Sequence, residues 1–313
     1  MQFFKKETTF DFMGKRKLAL VFSALLIIAS IASLASKGLN FGLDFTGGTL
    51  LELGYPQAVE LNDIRTTLDK AGYGDAIVQH FGTARDVLVR IAPRENVSSS
   101  EIGDAILKTL KEASNGEATM RRQEYVGPQV GDELRDDGGL AMIIAIGCIL
   151  VYVMLRFEWR FALGSVVALI HDVTIVLGCF ALFQWDFDLT VMAAVLAVIG
   201  YSLNDTIVVF DRIRENFRRI RKGTSEDVVN TSLNQTLSRT MMTSITTLLV
   251  VLAMFFMGGE LIHAFSLALI VGILIGTYSS IYVASTTALA LKISRTNLIQ
   301  VEKEGADQES LVD

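Results

Sequence analysis

Asn204 and Asp205 stand in the second half of VIGYSLNDTIVVF, residues 198–210, an otherwise apolar run. A carboxylate in the bilayer core costs roughly 2.5–3.5 kcal/mol on insertion-type scales, so its presence there points first to function. Arg239 opens a later apolar run and is followed by Thr240, Thr243, Ser244, Thr246 and Thr247, hydroxyls that can line a hydrated path. Asp205 lies five residues from the end of its run and Arg239 at the start of the next, so their depths match and the two can pair. A carboxylate away from water resists ionisation, and a neighbouring guanidinium favours it. A group balanced in this way changes charge when its partner moves, and one proton crossing the membrane delivers about 2.3 kcal/mol per 100 mV. The plainer reading is a structural pair, or two side chains that snorkel to the boundary. His171 and Asp172 fall near the middle of another run, where proton transfer and a helix-packing hydrogen bond are both open to them.

These residues need membrane helices to position them. The chain has 313 residues, 51% of them hydrophobic, in runs too long for the half-polar helices of a soluble protein. Six candidate spans follow: 18–36, 140–155, 161–183, 189–210, 240–257 and 262–291, the last long enough to need tilt or an extension beyond the lipid. Ser33-Leu34-Ala35 resembles a small-residue cleavage site, but the first run exceeds a usual signal peptide, so a retained anchor is expected. Gly200 and Ser202 precede Asp205, where close helix approach or a local break is tolerated. Gly272 and Gly276 form a GxxxG pattern, a mark of close packing on a helix of this or another chain. Cys148 and Cys179 both fall in apolar runs and are expected to act as small packing residues. His80 and His263 stand alone, as surface or boundary residues.

Orientation follows from Lys and Arg in the short loops. Lys5, Lys6, Lys15, Arg16 and Lys17 precede the first span, and Arg156 and Arg160 lie between the second and third. Arg212, Arg214, Arg218, Arg219, Arg221 and Lys222 follow the fourth, and Lys292 and Arg295 open the tail. The alternate loops, 184–188 and 258–261, have neither residue. Both termini are therefore expected in the cytoplasm and residues 37–138 outside. The organisation read from the chain is a cytoplasmic segment 1–17, an anchor helix 18–36, an outer domain 37–138, a five-helix membrane domain 139–291 with a cytoplasmic loop at 211–239, and a cytoplasmic tail 292–313. Thr224 is expected to cap the helix after that loop, with Glu226 and Asp227 in its first turn.

The outer segment has its own order. GGTLLELGY (47–55) alternates like a strand, and VELNDIRTTLDKAG (59–72) puts Leu61, Ile64, Leu68 and Ala71 on one helical face before Gly72. AIVQHFG and DVLVRIA read as strands around a turn at 83–85. SSSEIGDAILKTLKEASNG (98–116) has serine caps and a helical repeat of Ile102, Ile106, Leu107 and Leu110, stopping near Gly116, and ATMRRQEYVG is a last strand. The order βαββαβ is that of a ferredoxin-like α+β domain inserted between helices 1 and 2. Such a domain offers sheet edges and grooves for protein contacts.

Charge excludes some functions. The net charge of −6 resides in residues 37–138, with 11 Lys/Arg against 17 Asp/Glu, a poor surface for nucleic acid. No helix-turn-helix or zinc-finger spacing is present, nor GxxxxGK[ST], HExxH or GxSxG, so the residues support no ATPase, zinc-protease or hydrolase. An intramembrane aspartyl protease using Asp172 and Asp205 would want a motif such as GxGD, which IHDV and SLND do not match.

Several motifs together carry a family resemblance: FGLDFTGG (41–48), YVGPQVG (125–131), RFEWRFA (156–162), HDV (171–173), GYSLNDTIVVFDRIRENFR (200–218), QTLSRTMMTSITTL (235–248) and SIYVAS (280–285). Over nearly the whole chain the sequence resembles the SecD/SecF family of bacterial protein-export membrane proteins, on its SecF side. The resemblance implies an RND-like membrane fold split over two chains, with a SecD partner supplying six further spans, in the bacterial inner membrane. It also implies a complex with the SecYEG channel, a translocating preprotein as cargo, and late steps of export driven by the proton-motive force. No cofactor is implied beyond the coupling proton, and no metal or enzymatic activity. The family's membrane carboxylate and arginine fall on Asp205 and Arg239, and Asn204 matches in pattern an aspartate that SecD carries. Two rivals remain. A small-molecule RND exporter would need a mate to reach about twelve spans and two outer domains. A passive assembly subunit would tolerate charge-neutral replacements of Asp205.

Overall fold

A computed structural model describes residues 8–94, 99–114 and 117–294. Six helices of these residues are long and apolar enough to cross a membrane. The first, α1 (Arg16–Lys37), follows a single 3-10 turn and lies along a later helix. The chain then makes a short strand β1 (Asn40–Phe41) and one helical turn α2 (Leu43–Thr46). Neither was expected from the sequence, because both are shorter than any periodicity can reveal.

The outer domain runs β2 (Gly48–Gly54), α3 (Leu61–Lys70), β3 (Ile77–Phe81), β4 (Thr83–Ile91), α4 (Ser99–Ala113) and β5 (Thr119–Val126). The strands order as β3-β4-β2-β5, every neighbouring pair antiparallel. The tight turn falls at Gly82, in the left-handed region, and not at 83–85; Thr83 already belongs to the ladder. Leu51, Leu53, Val87, Val89 and Ile91 line one sheet face, and Ile64, Leu68, Ile102, Ile106 and Leu110 cover it from the two helices. The helix stop at Gly72 adopts a positive φ, as expected; the serine cap at Ser98 and the stop at Gly116 lie outside the described residues.

The paired glycines Gly47 and Gly48 let the chain enter this sheet. A Cβ on Gly48 would strike the Ile91 carbonyl, and one on Gly131 would strike the Gly47 nitrogen. This close approach seats α5 (Pro128–Arg156) against the sheet entrance. The helix starts twelve residues before the expected second span, with Pro128 at its first turn, where the missing N–H costs nothing. Residues 128–138, expected in the outer domain, are thus its helical base.

The remaining elements are α6 (Trp159–Phe183), a two-residue strand β6 (Asp186–Phe187), α7 (Leu189–Arg219), α8 (Ser225–Met257), α9 (His263–Ser279), a π-helical turn (Ser280–Ala284) and α10 (Ser285–Ala290). The expected cytoplasmic loop 211–239 is mostly helix. Ile213, Asn216, Phe217, Val228, Val229 and Leu233 are buried at helical spacing, so α7 and α8 continue past the apolar run and leave only 220–224 between them. Thr224 and Asp227 form the expected cap, each bonding the other's backbone N–H. Helices α6, α7 and α9–α10 form the buried centre, while α1, α5 and α8 turn more of their surface outward.

The outer domain is tied to the start of α7. β1 pairs with β6, Asp44 accepts from the Leu189 N–H, and Asp186 accepts from Asn40 and Gln79. Arg90, on the same side of the sheet, is half-buried; burial pulls its pKa down and Asp186 partly restores it.

Candidate functional site

Helix approach builds the site. Gly272 and Gly276 of α9 face Val198 and Ser202 of α7; a Cβ at Gly272 would lie 2.1 Å from Val198 Cγ2. The GxxxG partner is therefore within this chain. Gly200 has open space where its Cβ would be, so it packs no helix here, contrary to expectation; it lies on the exposed side of α7. With α7 and α9 this close, the next turn of α9 reaches two carboxylates.

Asp172 of α6 is fully buried. Its Oδ2 accepts from Ser202 Oγ at 2.5 Å and from Ser279 Oγ at 2.7 Å. Its Oδ1 lies 2.9 Å from His171 Nδ1. Asp205 of α7 is also buried, with Oδ1 accepting from Thr240 Oγ1 and Oδ2 from Ser280 Oγ, each at 2.6 Å. Ser279 and Ser280 are consecutive, yet each serves a different carboxylate. On a regular helix neighbouring residues point about 100° apart. The widened π turn starts at Ser280, a feature frequent at functional sites.

The polar cluster extends further. His171 Nε2 is 3.2 Å from Ser23 Oγ of α1, which is 3.0 Å from the Tyr278 hydroxyl; that hydroxyl donates to the Ala19 carbonyl at 2.6 Å. On the other side, Tyr201 donates to Ser244, which pairs with Thr277 at 2.7 Å.

Not every expected residue joins the cluster. Among the described residues no ion pair joins Asp205 to Arg239; Arg239 is exposed, and hydroxyls occupy both oxygens of Asp205. Thr240 takes the place expected of the arginine because it lies one residue further around α8, on the inward face. Asn204 is exposed as well, on the same side of α7 as Gly200. Of the hydroxyl row on α8, Thr240 and Ser244 turn inward, whereas Thr243, Thr246 and Thr247 bond back to carbonyls of their own helix. Cys148 is exposed on α5 and packs nothing inward; Cys179 is half-buried, and His263 lies against the Phe255 ring. Ser279, Ser280, Tyr278 and Ser23 escaped the sequence reading. The polar run TYSS (277–280) inside the sixth apolar stretch was the signal that could have found them.

Among the described residues no cation ion-pairs with Asp205, and both carboxylates are held by groups that can donate or accept. Such a site can take up a proton without leaving a partner cation stranded. Against this geometry, residues 105–294 match the family model of the protein export membrane protein SecD/SecF C-terminal region, and residues 32–59 match the SecD/SecF GG motif. The chain is 56% identical to the protein translocase subunit SecF of Vibrio alginolyticus over 98% of both chains. The chain belongs to the SecF family. It is 52% identical to the Pseudomonas aeruginosa SecF over 93% of this chain and 94% of that one. Among solved structures it resembles SecDF of Thermus thermophilus, a translocon-associated membrane protein, with a TM-score of 0.83 and 41% identity. That match covers 91% of this chain but only 39% of the SecDF chain. A second SecDF structure, in a super-membrane-facing form, matches with a TM-score of 0.69 and 40% identity. The matched segment 32–59 contains Gly47, which Gly131 of α5 approaches, and Gly48, which approaches the Ile91 carbonyl.

Proposed function

We propose that this chain is a SecF subunit of the bacterial Sec export machinery that pairs with SecD and couples the proton-motive force to late steps of preprotein translocation at SecYEG. The observation that carries this reading is Asp205, buried in a membrane helix between two hydroxyl donors with no ion-pair partner among the described residues. A group in that setting gains or loses charge by taking or releasing a proton, and each change alters which hydroxyls donate. The proton is the only coupling species the reading needs. Arg239 completes the site in another conformation or against the partner chain, since its side chain is outward here.

The SecD pairing has support on α7. Ala193, Ala197, Gly200 and Asn204 fall at spacings of four, three and four on its exposed side, a small-residue strip with one amide in the membrane. The orientation rests on the Lys/Arg asymmetry, with both termini cytoplasmic and residues 37–138 periplasmic. The outer domain is read as ferredoxin-like from its strand order, with helices on one face and the start of α7 on the other.

The test is export into inverted inner-membrane vesicles with ATP saturating and the proton gradient imposed or collapsed. Asp205→Asn is expected to abolish gradient-dependent stimulation while the chain still inserts and still co-purifies with SecD. Full stimulation in Asp205→Asn would hand the case to a passive assembly subunit. For orientation, a cysteine at exposed Lys108, with Cys148 and Cys179 replaced by alanine, should react with an impermeant thiol reagent in intact spheroplasts. Labelling only after lysis would reverse the topology.

A further inference from the structure

The contacts around His171 require more protons than a neutral imidazole and a free carboxylate supply. Three hydrogen-bond distances run in series, His171 Nε2 to Ser23 Oγ, Ser23 Oγ to the Tyr278 hydroxyl, and Tyr278 to the Ala19 carbonyl. The two hydroxyls bring one proton each, and a carbonyl brings none. The third proton must come from Nε2. At the other side of the ring, the 2.9 Å contact between Nδ1 and Asp172 Oδ1 needs a proton as well, on either atom. A neutral imidazole beside a carboxylate has one proton for these two demands.

We propose that His171 and Asp172 together form a second proton-binding site, holding two protons and no net charge in this conformation, and that Ser279 and Ser280 link its occupancy to that of Asp205. The protons belong to the pair, as imidazolium with carboxylate or as imidazole with carboxylic acid. Both forms avoid an isolated negative charge in the membrane interior, where it is costly. The groups facing the pair are Ser23 and the Ala19 carbonyl from α1, Ser202 from α7 with Asp205 one turn on, and Tyr278 and Ser279 from α9. Among the described residues no Lys or Arg ion-pairs with His171 or Asp172.

The link to Asp205 follows from alternative acceptors. Ser280 Oγ lies 2.6 Å from Asp205 Oδ2 and 3.0 Å from the Thr277 carbonyl. Ser279 Oγ lies 2.7 Å from Asp172 Oδ2 and 3.1 Å from the Gly276 carbonyl. Each hydroxyl has one proton and two acceptors, so each can turn from its carboxylate to its own helix. When Asp205 takes a proton, it can donate to Ser280, whose own proton then goes to Thr277. That change occurs one peptide bond from the serine that serves Asp172.

The measurement is nitrogen NMR on the full chain in lipid nanodiscs, labelled with 15N-histidine. The chain has three histidines, so His80→Gln with His263→Gln leaves His171 alone. At neutral pH Nε2 is expected to carry a proton, and Asp205→Asn is expected to shift the His171 signals. A bare Nε2 overturns the second site, and so does a protonated Nε2 with a bare Nδ1 when 13C-aspartate spectra of the same sample show Asp172 ionised. Unmoved signals in Asp205→Asn overturn the link. The use of this site in export rests on the proton-coupling reading above, but its protonation does not. Loss of that reading in the vesicle assay would leave the NMR result standing, and the reverse.

Discussion

The two cores of this chain are built to opposite rules. Leu51, Leu53, Val87, Val89, Ile106 and Leu110 fill the outer core with apolar side chains, and its charges lie outside that cluster, exposed as in Arg94 with Asp75 or paired as in Asp86 with Arg121. The membrane core buries Asp172, His171 and Asp205 together with Ser202, Ser279 and Ser280. Its exposed faces are apolar instead, with Leu18, Leu25, Ile143, Leu155, Leu249 and Phe256 outward. In water, burying apolar surface drives folding, at about 25 cal/mol per Å². Between membrane helices that drive is absent, and close packing with interhelical hydrogen bonds takes its place. Polar groups inside the outer domain would be a cost, whereas inside the bundle they join helices and can also carry function.

A charge tests this contrast most strongly. Leu53→Asp puts an unpaired carboxylate into the outer core and should leave residues 47–127, expressed alone, without a cooperative thermal transition. The unsubstituted segment should unfold cooperatively, because its core is drawn entirely from residues 51–120. Asp205→Asn, by contrast, should leave the melting temperature of the full chain in detergent nearly unchanged. Glycine substitutions come next. Gly272→Val drives a side chain into Val198 and should cost about 1–3 kcal/mol as overpacking, seen as a lower melting temperature in detergent. Gly200→Ala meets open space and should leave that temperature unchanged, although it can weaken recovery of SecD in a pull-down.

Smaller effects lie at the end of the bundle away from the β-sheet. Asn230 and Asn234 of α8 hold the backbone at Phe10, Phe12 and Met13, and Asn230 also donates to Asp11. That hydrogen bond and one from the Gly14 N–H hold the Asp11 carboxyl below the usual carboxylate range. A depressed native pKa contributes stability above the unfolded value and loses it as pH falls through the native one. Protease cleavage near Asp11 should therefore quicken only below about pH 4, where an unstructured aspartate protonates, and Asn230→Ala should raise cleavage already at neutral pH. The smallest change is expected from Arg156→Ala. Its pair with Asp211 is half-exposed at both ends and screened, so the loss should stay within about 1 kcal/mol in thermal denaturation.

How much of this was legible depends on the scale of the signal. The six spans, the βαββαβ order and the burial of Asp205 follow from long periodicities and from the price of charge in lipid. The GxxxG was legible as a packing mark, but its partner, Val198 and Ser202, was not, because sequence spacing does not name the opposite helix. Residues 211–239 read as a loop because their charges broke an apolar run, although Ile213, Phe217, Val229 and Leu233 kept helical spacing. The expected pairing of Asp205 with Arg239 used depth alone; rotation about α8 decides that Thr240 faces inward and Arg239 outward. The role of Ser279 and Ser280 depends on a π turn, a one-residue change in winding that no hydropathy pattern records.

The central claim is that Asp205 exchanges a proton inside the membrane. Infrared difference spectroscopy of the full chain with SecD in nanodiscs, across a step in pH, observes this directly as a carboxylic-acid C=O band. The account predicts a band that shifts with 13C-aspartate labelling and is missing in Asp205→Asn. A wild-type spectrum with no aspartate band at any pH at which the complex stays folded, or a band unchanged in Asp205→Asn, would contradict it.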